Sequence, residues 1–223
     1  MKIAVLTLTR DRLDYTKHCL ASLKKNAGCG YDHFVLDNGS EDGTRDWLLR
    51  QDLADVTLSR DNIGIGAGLN LLLDECNPMN YDAIVHFDND CELTQPGTLR
   101  DLCRLAIDGQ AILSPRILGL NNPPQPTREL RIGDDIILDV PQIGGICLTA
   151  PAWVYDDYRY PSNLPKWGLD DAHICAWFRQ RGGTCGYVKR LEAWHYEGTE
   201  GQKQRYPDYF ARKDAEYEAT VAA

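Results

Sequence analysis

The sequence has no CxxC pair, no zinc-ligand spacing, no basic stripe and no long apolar run, and each lack removes a class of function. Its eight cysteines, at 19, 29, 76, 91, 103, 147, 175 and 185, are scattered, several of them in apolar stretches where a thiol packs as a small hydrophobe. A zinc framework is excluded, and reduced thiols fit a cytoplasmic compartment. The opening MKIAVLTLTRDR returns to charge after a short apolar run, so it reads as a strand and not as a secretory signal. The longest uncharged stretch, Val140 to Tyr155, is broken by prolines and glycines and is too short to span a bilayer. A formal charge of -9 provides no dense Lys/Arg surface for tracking a nucleic-acid backbone. A soluble cytoplasmic protein is expected.

What is present is enough for one α/β core: 223 residues, 43% apolar and 26% charged. Strand-like runs at Ile3–Leu8, His33–Asp37, Val56–Leu58 and Ala83–Phe87 alternate with helical ones at Leu13–Asn26, Thr44–Gln51 and Gly66–Cys76. That alternation predicts parallel βαβ units. A helix over Thr98–Asp108 and a strand over Ala111–Leu113 follow, and then Pro123, Pro124 and Pro126 mark a loop in NNPPQPT. Beyond it a hairpin over Leu130–Val140, strands at Gly144–Leu148 and Thr184–Val188, a helix over Asp170–Arg181 and a closing helix from Tyr206 are predicted. The chain reads as a single domain over 1–223, with the ligand-binding half in 1–115 and the remainder in 116–223.

Open parallel sheets gather ligands outside the carboxyl ends of their strands, and here those ends are polar. The first strand runs into Thr7-Leu8-Thr9-Arg10, the second into Asp37-Asn38-Gly39-Ser40, and the fourth into Asp88-Asn89-Asp90. Asp, Asn and Gly at strand ends are also ordinary turn formers. Two carboxylates one residue apart after a buried strand offer hard oxygen ligands to Mg²⁺ or Mn²⁺, which take one or two protein carboxylates plus substrate phosphate oxygens.

In order along the chain, VLTLTRDRLDYTKHCLASL, FVLDNGSEDGTRDWL, NIGIGAGLNLLL, YDAIVHFDND, WGLDDAHICAWFRQRGG and WHYEG resemble segments of the large inverting glycosyltransferase family two. Its members have the GT-A nucleotide-sugar-binding fold, a Rossmann-like, mostly parallel sheet flanked by helices. The resemblance covers roughly residues 1–115 and 143–215. It implies that Thr7 and Arg10 border a nucleobase pocket and that Asp37 hydrogen-bonds the base, usually uracil. It places Asn62, Gly64 and Asn70 of the glycine-rich NIGIGAGLN near ribose and diphosphate. Asp88, Asn89 and Asp90 match its DXD motif, with Asp90 on Mn²⁺ or Mg²⁺, Asp88 beside the ribose and metal shell, and His195 a third metal ligand. Asp170-Asp171 match its ED motif with Asp for the usual Glu. Asp171 takes the position of the general base, although either acid could instead cap the helix that follows.

The function implied is metal-dependent transfer of a sugar from a nucleoside diphosphate sugar, by the resemblance UDP-linked, to an acceptor hydroxyl with inversion. The acceptor could be a glycan, a lipid-linked sugar, a protein or a modified nucleic acid. A nucleotide-sugar-binding protein without turnover and a retaining GT-A enzyme are the alternatives. A nucleotidyltransferase would need a glycine-rich basic loop after the first strand, which TLTRDRLDY lacks. His173 stands where the family commonly has an acid, and reads as a packed or surface residue. Gly144-Gly145, Trp153 and Trp167 could floor a sugar site, Trp47 and Trp177 read as core, and Arg179 and Arg181 could face phosphate or solvent.

Overall fold

The computed structural model describes residues 1–120, 123–196 and 198–221, with only the backbone described for 198, 199 and 216–221. Asn121, Asn122 and Glu197 of the quoted segments lie outside the described residues.

β1 (Ile3–Thr9) reads IAVLTLT and is buried along almost its whole length, as a strand covered on both faces must be. It pairs in parallel with β2 (Asp32–Asn38) and β4 (Ala83–Phe87), and β2 pairs in parallel with β3 (Asp55–Ser59). The crossovers carry α1 (Leu13–Asn26), α2 (Thr44–Leu48) and α3 (Ile65–Cys76). β5 (Cys91–Leu93), α4 (Thr98–Gly109), β6 (Ile112–Leu118), β7 (Arg128–Ile132), β8 (Asp135–Asp139) and β9 (Cys147–Pro151) follow. The chain continues through α5 (Val154–Asp157), α6 (Asp170–Gln180), β10 (Cys185–His195), α7 (Gly198–Arg205) and α8 (Pro207–Val221). One sheet runs in the order β3-β2-β1-β4-β9-β6-β10-β8-β7, with β5 on β10. This is the expected mixed α/β sheet flanked by helices.

The functional end is set where the parallel half meets β9, which runs antiparallel to β4 with Phe87 opposite Cys147. That pairing brings the turn before β9 against the end of β4, sealed by the Asp88 N–H donating to the Ile146 carbonyl at 3.0 Å. β10 runs on well past the Val188 where the predicted strand ended; a register shift between Val188 and Glu192 bends it from β8 toward β5. The bend delivers His195 opposite Cys91, and the Tyr196 N–H then donates to the Asp90 carbonyl at 3.0 Å.

The hairpin stands as β7 and β8. α2 stops short of Gln51, and β9 starts later than Gly144, whose N–H is taken by the Tyr187 hydroxyl at 2.9 Å. β5, α5 and α7 were not predicted, being short or weakly patterned. All eight cysteines are free thiols, and burial pushes those of Cys19, Cys91 and Cys103 well up, which makes them inert. No described helix is long and apolar enough to cross a membrane.

Two buried details hold strand ends in place. The Thr7 hydroxyl donates to the Phe87 carbonyl at 2.8 Å, so it accepts from His33 Nε2 at 2.9 Å, tying β1 to both neighbours. Gly119, just after β6, has φ +95°, and a Cβ there would lie 2.7 Å from the His195 carbonyl oxygen. Gly119→Ala is therefore expected to cost about 1–3 kcal/mol from backbone strain and overpacking. A lower urea midpoint at unchanged m-value measures it, and a shift worth under about 0.5 kcal/mol means that the backbone moves aside freely.

Burial pushes the His33 imidazole down to about 3 from 6.5. The unfolded chain then binds a proton that the folded one refuses, so stability is complete above pH 6.5 and falls as pH drops toward 3. Its slope approaches about 1.4 kcal/mol per pH unit. His33→Gln keeps a donor for Thr7 and is expected to remove about one proton's worth of that slope in denaturation curves between pH 6.5 and 4. An unaltered slope would assign the acid sensitivity to other groups.

Candidate active site

The carboxyl ends of β1, β2 and β4 open into a cleft of about 280 Å³, closed on the far side by the α6 N-terminus, the segment before it and the C-terminal helices. At its floor is Asp90, only 8% exposed. Its Oδ2 accepts from Arg12 Nη1 at 2.8 Å and from Gln202 Nε2 at 3.1 Å, and lies 3.5 Å from His195 Nε2. Burial alone would raise the Asp90 pKa; Arg12, then His195 and Gln202, overcome it and hold the carboxyl far below the usual range. The reciprocal effect raises His195, where Asp90 outweighs burial.

Arg12 enters by way of a strained turn. Asp11 and Arg12 have φ 53° and 60°, two consecutive left-handed residues of a kind glycine usually supplies. Ser40 Oγ accepts the Asp11 N–H at 2.8 Å, Asp11 Oδ1 accepts the Glu41 N–H at 2.7 Å, and Asp42 Oδ2 accepts the Leu13 N–H at 2.9 Å. Arg212 of α8 adds a 2.6 Å bond to Asp11 Oδ2. So anchored, the Arg12 guanidinium bridges Asp90, Gln202 Oε1 (2.7 Å) and Asn89 Oδ1 (3.0 Å), and lies 4.6 Å from the Tyr209 ring centre. Arg12 and Gln202 were missed in the sequence. Arg12 was within reach, since it follows the first strand by three residues; nothing local marks Gln202.

Asp88 faces a different partner. Its Oδ1 lies 3.0 Å from Nε2 of the buried His86, whose Nδ1 is 3.6 Å from Asp170 Oδ2. Burial opposes a proton on His86, but Asp88 and then Asp170 outweigh it and raise the imidazole. Burial pushes Asp170 up to about 7, with His86 pulling the other way. Asp171 is less enclosed; burial raises it too, while one oxygen accepts the Ala172 N–H at 2.7 Å. Neither acid is the helix cap. Leu169, with φ 67°, holds that position without a side-chain acceptor, while Asp171 does take up one free N–H of the first turn, that of Ala172, as the capping alternative has it.

Arg10, Asn62, Asp88, Asn89, Asp90, Asp170, Asp171 and His195 all line the cleft, joined by Asn38, Lys166, Trp167 and Gly145. Asn89 is spent internally, donating to Thr9 and Thr16 hydroxyls while it accepts from Arg12. Asn62 Oδ1 accepts from Asn38 Nδ2 at 3.0 Å and the Gly64 N–H at 2.9 Å. Other expected contacts are placed apart from the cleft lining. Thr7 is turned to His33, and Asn70 clamps the Tyr160 backbone through bonds of 2.8 and 3.0 Å. Gly64 faces the Lys166 Cα, and Gly68 packs on Leu8 and Leu36, so these glycines serve close packing of helix on protein. Asp37 is fully buried beside the lining, one oxygen on the Ser40 N–H and Oδ2 without a hydrogen-bond partner.

Of the aromatics, Trp167 lines the cleft with Arg10 5.3 Å and Lys213 5.1 Å from its ring centre, whereas Trp153 packs toward Phe178. Trp47 and Trp177 are half-buried. Arg179 is consumed by Asp139 and the Val140 carbonyl, Arg181 lies over Trp177, and His173 bonds the Tyr158 hydroxyl at 3.0 Å.

Among the described residues, no group of three or more His, Cys, Asp or Glu is arranged to hold a metal ion by itself. The Asp90–His195 pair does fit as two ligands. Their facing atoms are 3.5 Å apart, a hard oxygen is paired with an imidazole, and an ion taking its other ligands from phosphate and water needs no more.

A family model described as "Glycosyl transferase family 2" matches residues 4–182. No curated protein sequence matches the chain. Among solved structures, a mannosyltransferase, PcManGT from Pyrobaculum calidifontis, in complex with GDP-Man and Mn²⁺, superposes with a TM-score of 0.68 at 15% identity, over 89% of this chain and 58% of that one. GalNAc-T7 with UDP, GalNAc and Mn²⁺ gives 0.68 at 13%, over 87% and 44%. S. aureus TarS 1-349 gives 0.66 at 16%, over 87% and 60%. This chain thus spans about half the length of these structures, which share its fold. With a match across most of its length, and strand-end carboxylates set in the cleft where this fold gathers ligands, the chain belongs to glycosyl transferase family 2.

Proposed function

We propose that the protein transfers a sugar from a nucleoside diphosphate sugar to an acceptor hydroxyl, with inversion at the anomeric carbon and with a divalent cation. The observation that carries this is the meeting, in one cleft, of basic, metal-competent and acidic groups: Arg10, Arg12, Lys166 and Lys213, the Asp90–His195 pair, and the carboxylates Asp88, Asp170 and Asp171.

The nucleoside would enter along Arg10, Asn38 and Asn62. Asp37, next to Asn38, is fully buried with its Oδ2 unpartnered, and would accept an N–H of the base, which uracil and guanine both offer, once the strand end shifts to expose it. Asp90 and His195 would hold the cation, with Asp88 beside them, and the ion would neutralise charge on the departing diphosphate. GDP-Man in one similar structure and UDP in another leave both nucleotides to be tried.

Asp171 is the base. Burial makes its carboxylate a stronger proton acceptor than an exposed one, and one oxygen, held by the Ala172 N–H, fixes its orientation. It would take the acceptor's proton as that oxygen attacks the anomeric carbon from the face opposite the diphosphate. Asp170, turned to His86 and raised to about 7, serves as its buried support.

Thermal shift against a panel of UDP- and GDP-sugars with Mn²⁺ or Mg²⁺, with donor hydrolysis as the readout of turnover, tests the central claim. Absence of any nucleotide-dependent shift rejects it. Asp171→Asn is expected to keep donor affinity and lose about 10²–10⁴-fold in turnover; retained turnover removes Asp171 from the base position. His195→Ala should raise the Mn²⁺ concentration needed for half-maximal donor binding, and an unchanged requirement would leave His195 a packing residue.

A further inference from the structure

The contacts of Asp90 hold more than a metal site waiting for its ion. A carboxylate oxygen has two lone-pair directions, and those of Asp90 Oδ2 are already taken, by Arg12 Nη1 at 2.8 Å and Gln202 Nε2 at 3.1 Å. A divalent cation can reach this oxygen only after at least one of them withdraws. Gln202 is neutral and also donates to the Tyr196 carbonyl at 2.9 Å. Arg12 is the charged competitor, and it has been placed deliberately: the chain tolerates two left-handed residues in succession to aim it inward.

We propose that Arg12 guards Asp90 while the cleft holds no donor, and becomes a ligand of the donor diphosphate once it does. The second role rests on the sugar-nucleotide function above; the first does not. Arg12 lines the same cleft as Arg10, Lys166 and Lys213, in a chain whose formal charge is -9. These four cations share the lining with Asp88, Asp90, Asp170 and Asp171, and Arg12 is the one bonded to Asp90 at 2.8 Å. A planar guanidinium is matched to phosphate oxygens in a two-point bond. Exchange of Asp90 for diphosphate leaves Arg12 with a doubly charged partner and frees Asp90 Oδ2 for the incoming cation. Asp90 would exchange the +1 guanidinium for a +2 cation, and the negative charge of the incoming diphosphate would offset the added positive charge.

The C-terminal helices are the latch of this exchange. Gln202 of α7 holds Arg12 from one side and Tyr209 of α8 covers it at 4.6 Å. Arg212 of α8 grips Asp11, the first residue of the strained turn, and Glu41. Binding of metal with donor should therefore be mutually reinforcing, because each removes the obstacle to the other.

Two titrations on purified full-length protein test this. Mn²⁺ binding is followed without nucleotide, by electron paramagnetic resonance of the free ion, for wild type and Arg12→Met. UDP and GDP binding is followed by calorimetry in excess chelator for the same pair. The variant is expected to bind Mn²⁺ at least about tenfold more tightly and the metal-free nucleoside diphosphate at least about tenfold more weakly, since the first loses a competitor and the second a bidentate ligand. If Arg12→Met lacks a cooperative unfolding transition, Arg12→Lys replaces it. A single ammonium cannot span Asp90, Gln202 and Asn89, and both effects should persist at a few-fold. The proposal is overturned if the folded variant binds Mn²⁺ no more tightly than wild type, or if metal-free diphosphate binding is undiminished. Wild-type protein that binds no nucleotide with or without metal rejects the sugar-transfer function instead, and the Mn²⁺ titration still decides whether Arg12 guards Asp90.

Discussion

A carboxylate enclosed as deeply as Asp90 must be matched by positive charge or give up its own, and much of the architecture around the cleft follows from that constraint. The strained Asp11–Arg12 turn exists to bring a guanidinium to it. The bend in β10 carries His195 to its other side, and α7 supplies Gln202 from 112 residues away. Such a buried pair is a poor source of net stability, because desolvation costs about as much as the attraction returns. Its value is positional: an ionised Asp90 with a fixed oxygen, at the point where a parallel sheet ends.

The same physics separates the two carboxylate groups of the cleft. Asp90, beside a permanent cation, is held far down; Asp170, enclosed with only an imidazole near it, is pushed up to about 7. Environments that drive like groups apart mark a division of labour between charge binding and proton handling. His86 lies between these sides, 3.0 Å from Asp88 and 3.6 Å from Asp170. One buried ring thus stands between the end of β4 and the start of α6 without itself lining the cleft.

The parallel half of the fold was legible because its strands are continuous apolar runs and its helices carry a helical period, both of which are local. The polar strand ends were legible for the same reason, and Asp88, Asp90, Asp170, Asp171 and His195 do converge on one cleft. Function-like composition misled where packing used the same residues. The glycines of NIGIGAGLN serve the approach of α3 to Leu8, Leu36, Leu164 and Lys166, and Asn70 braces the Tyr160 backbone. Arg12 and Gln202 stand 190 residues apart, so no window of sequence could pair them. His86 looked like one residue of a buried strand; Asp88 is its neighbour two residues on, but only the placement of α6 brings Asp170 to its other side.

The family match ends at residue 182, which divides the cleft in a telling way. Asp88, Asp90, Asp170, Asp171 and the strained turn lie inside it. Outside it are His195, Gln202, Tyr209, Phe210 and Lys213, which neutralise, cover or close what the matched part presents. A sheet end alone would leave Asp90 open to water, where charge interactions are weakened several-fold relative to a partly enclosed site. With α7 and α8 in place, water is displaced and Arg12 is confined between Asp90 and Tyr209. The carboxylates of the cleft are therefore set by the part of the chain that the family shares, whereas the strength of their electrostatics depends on side chains that the last helices return to the site.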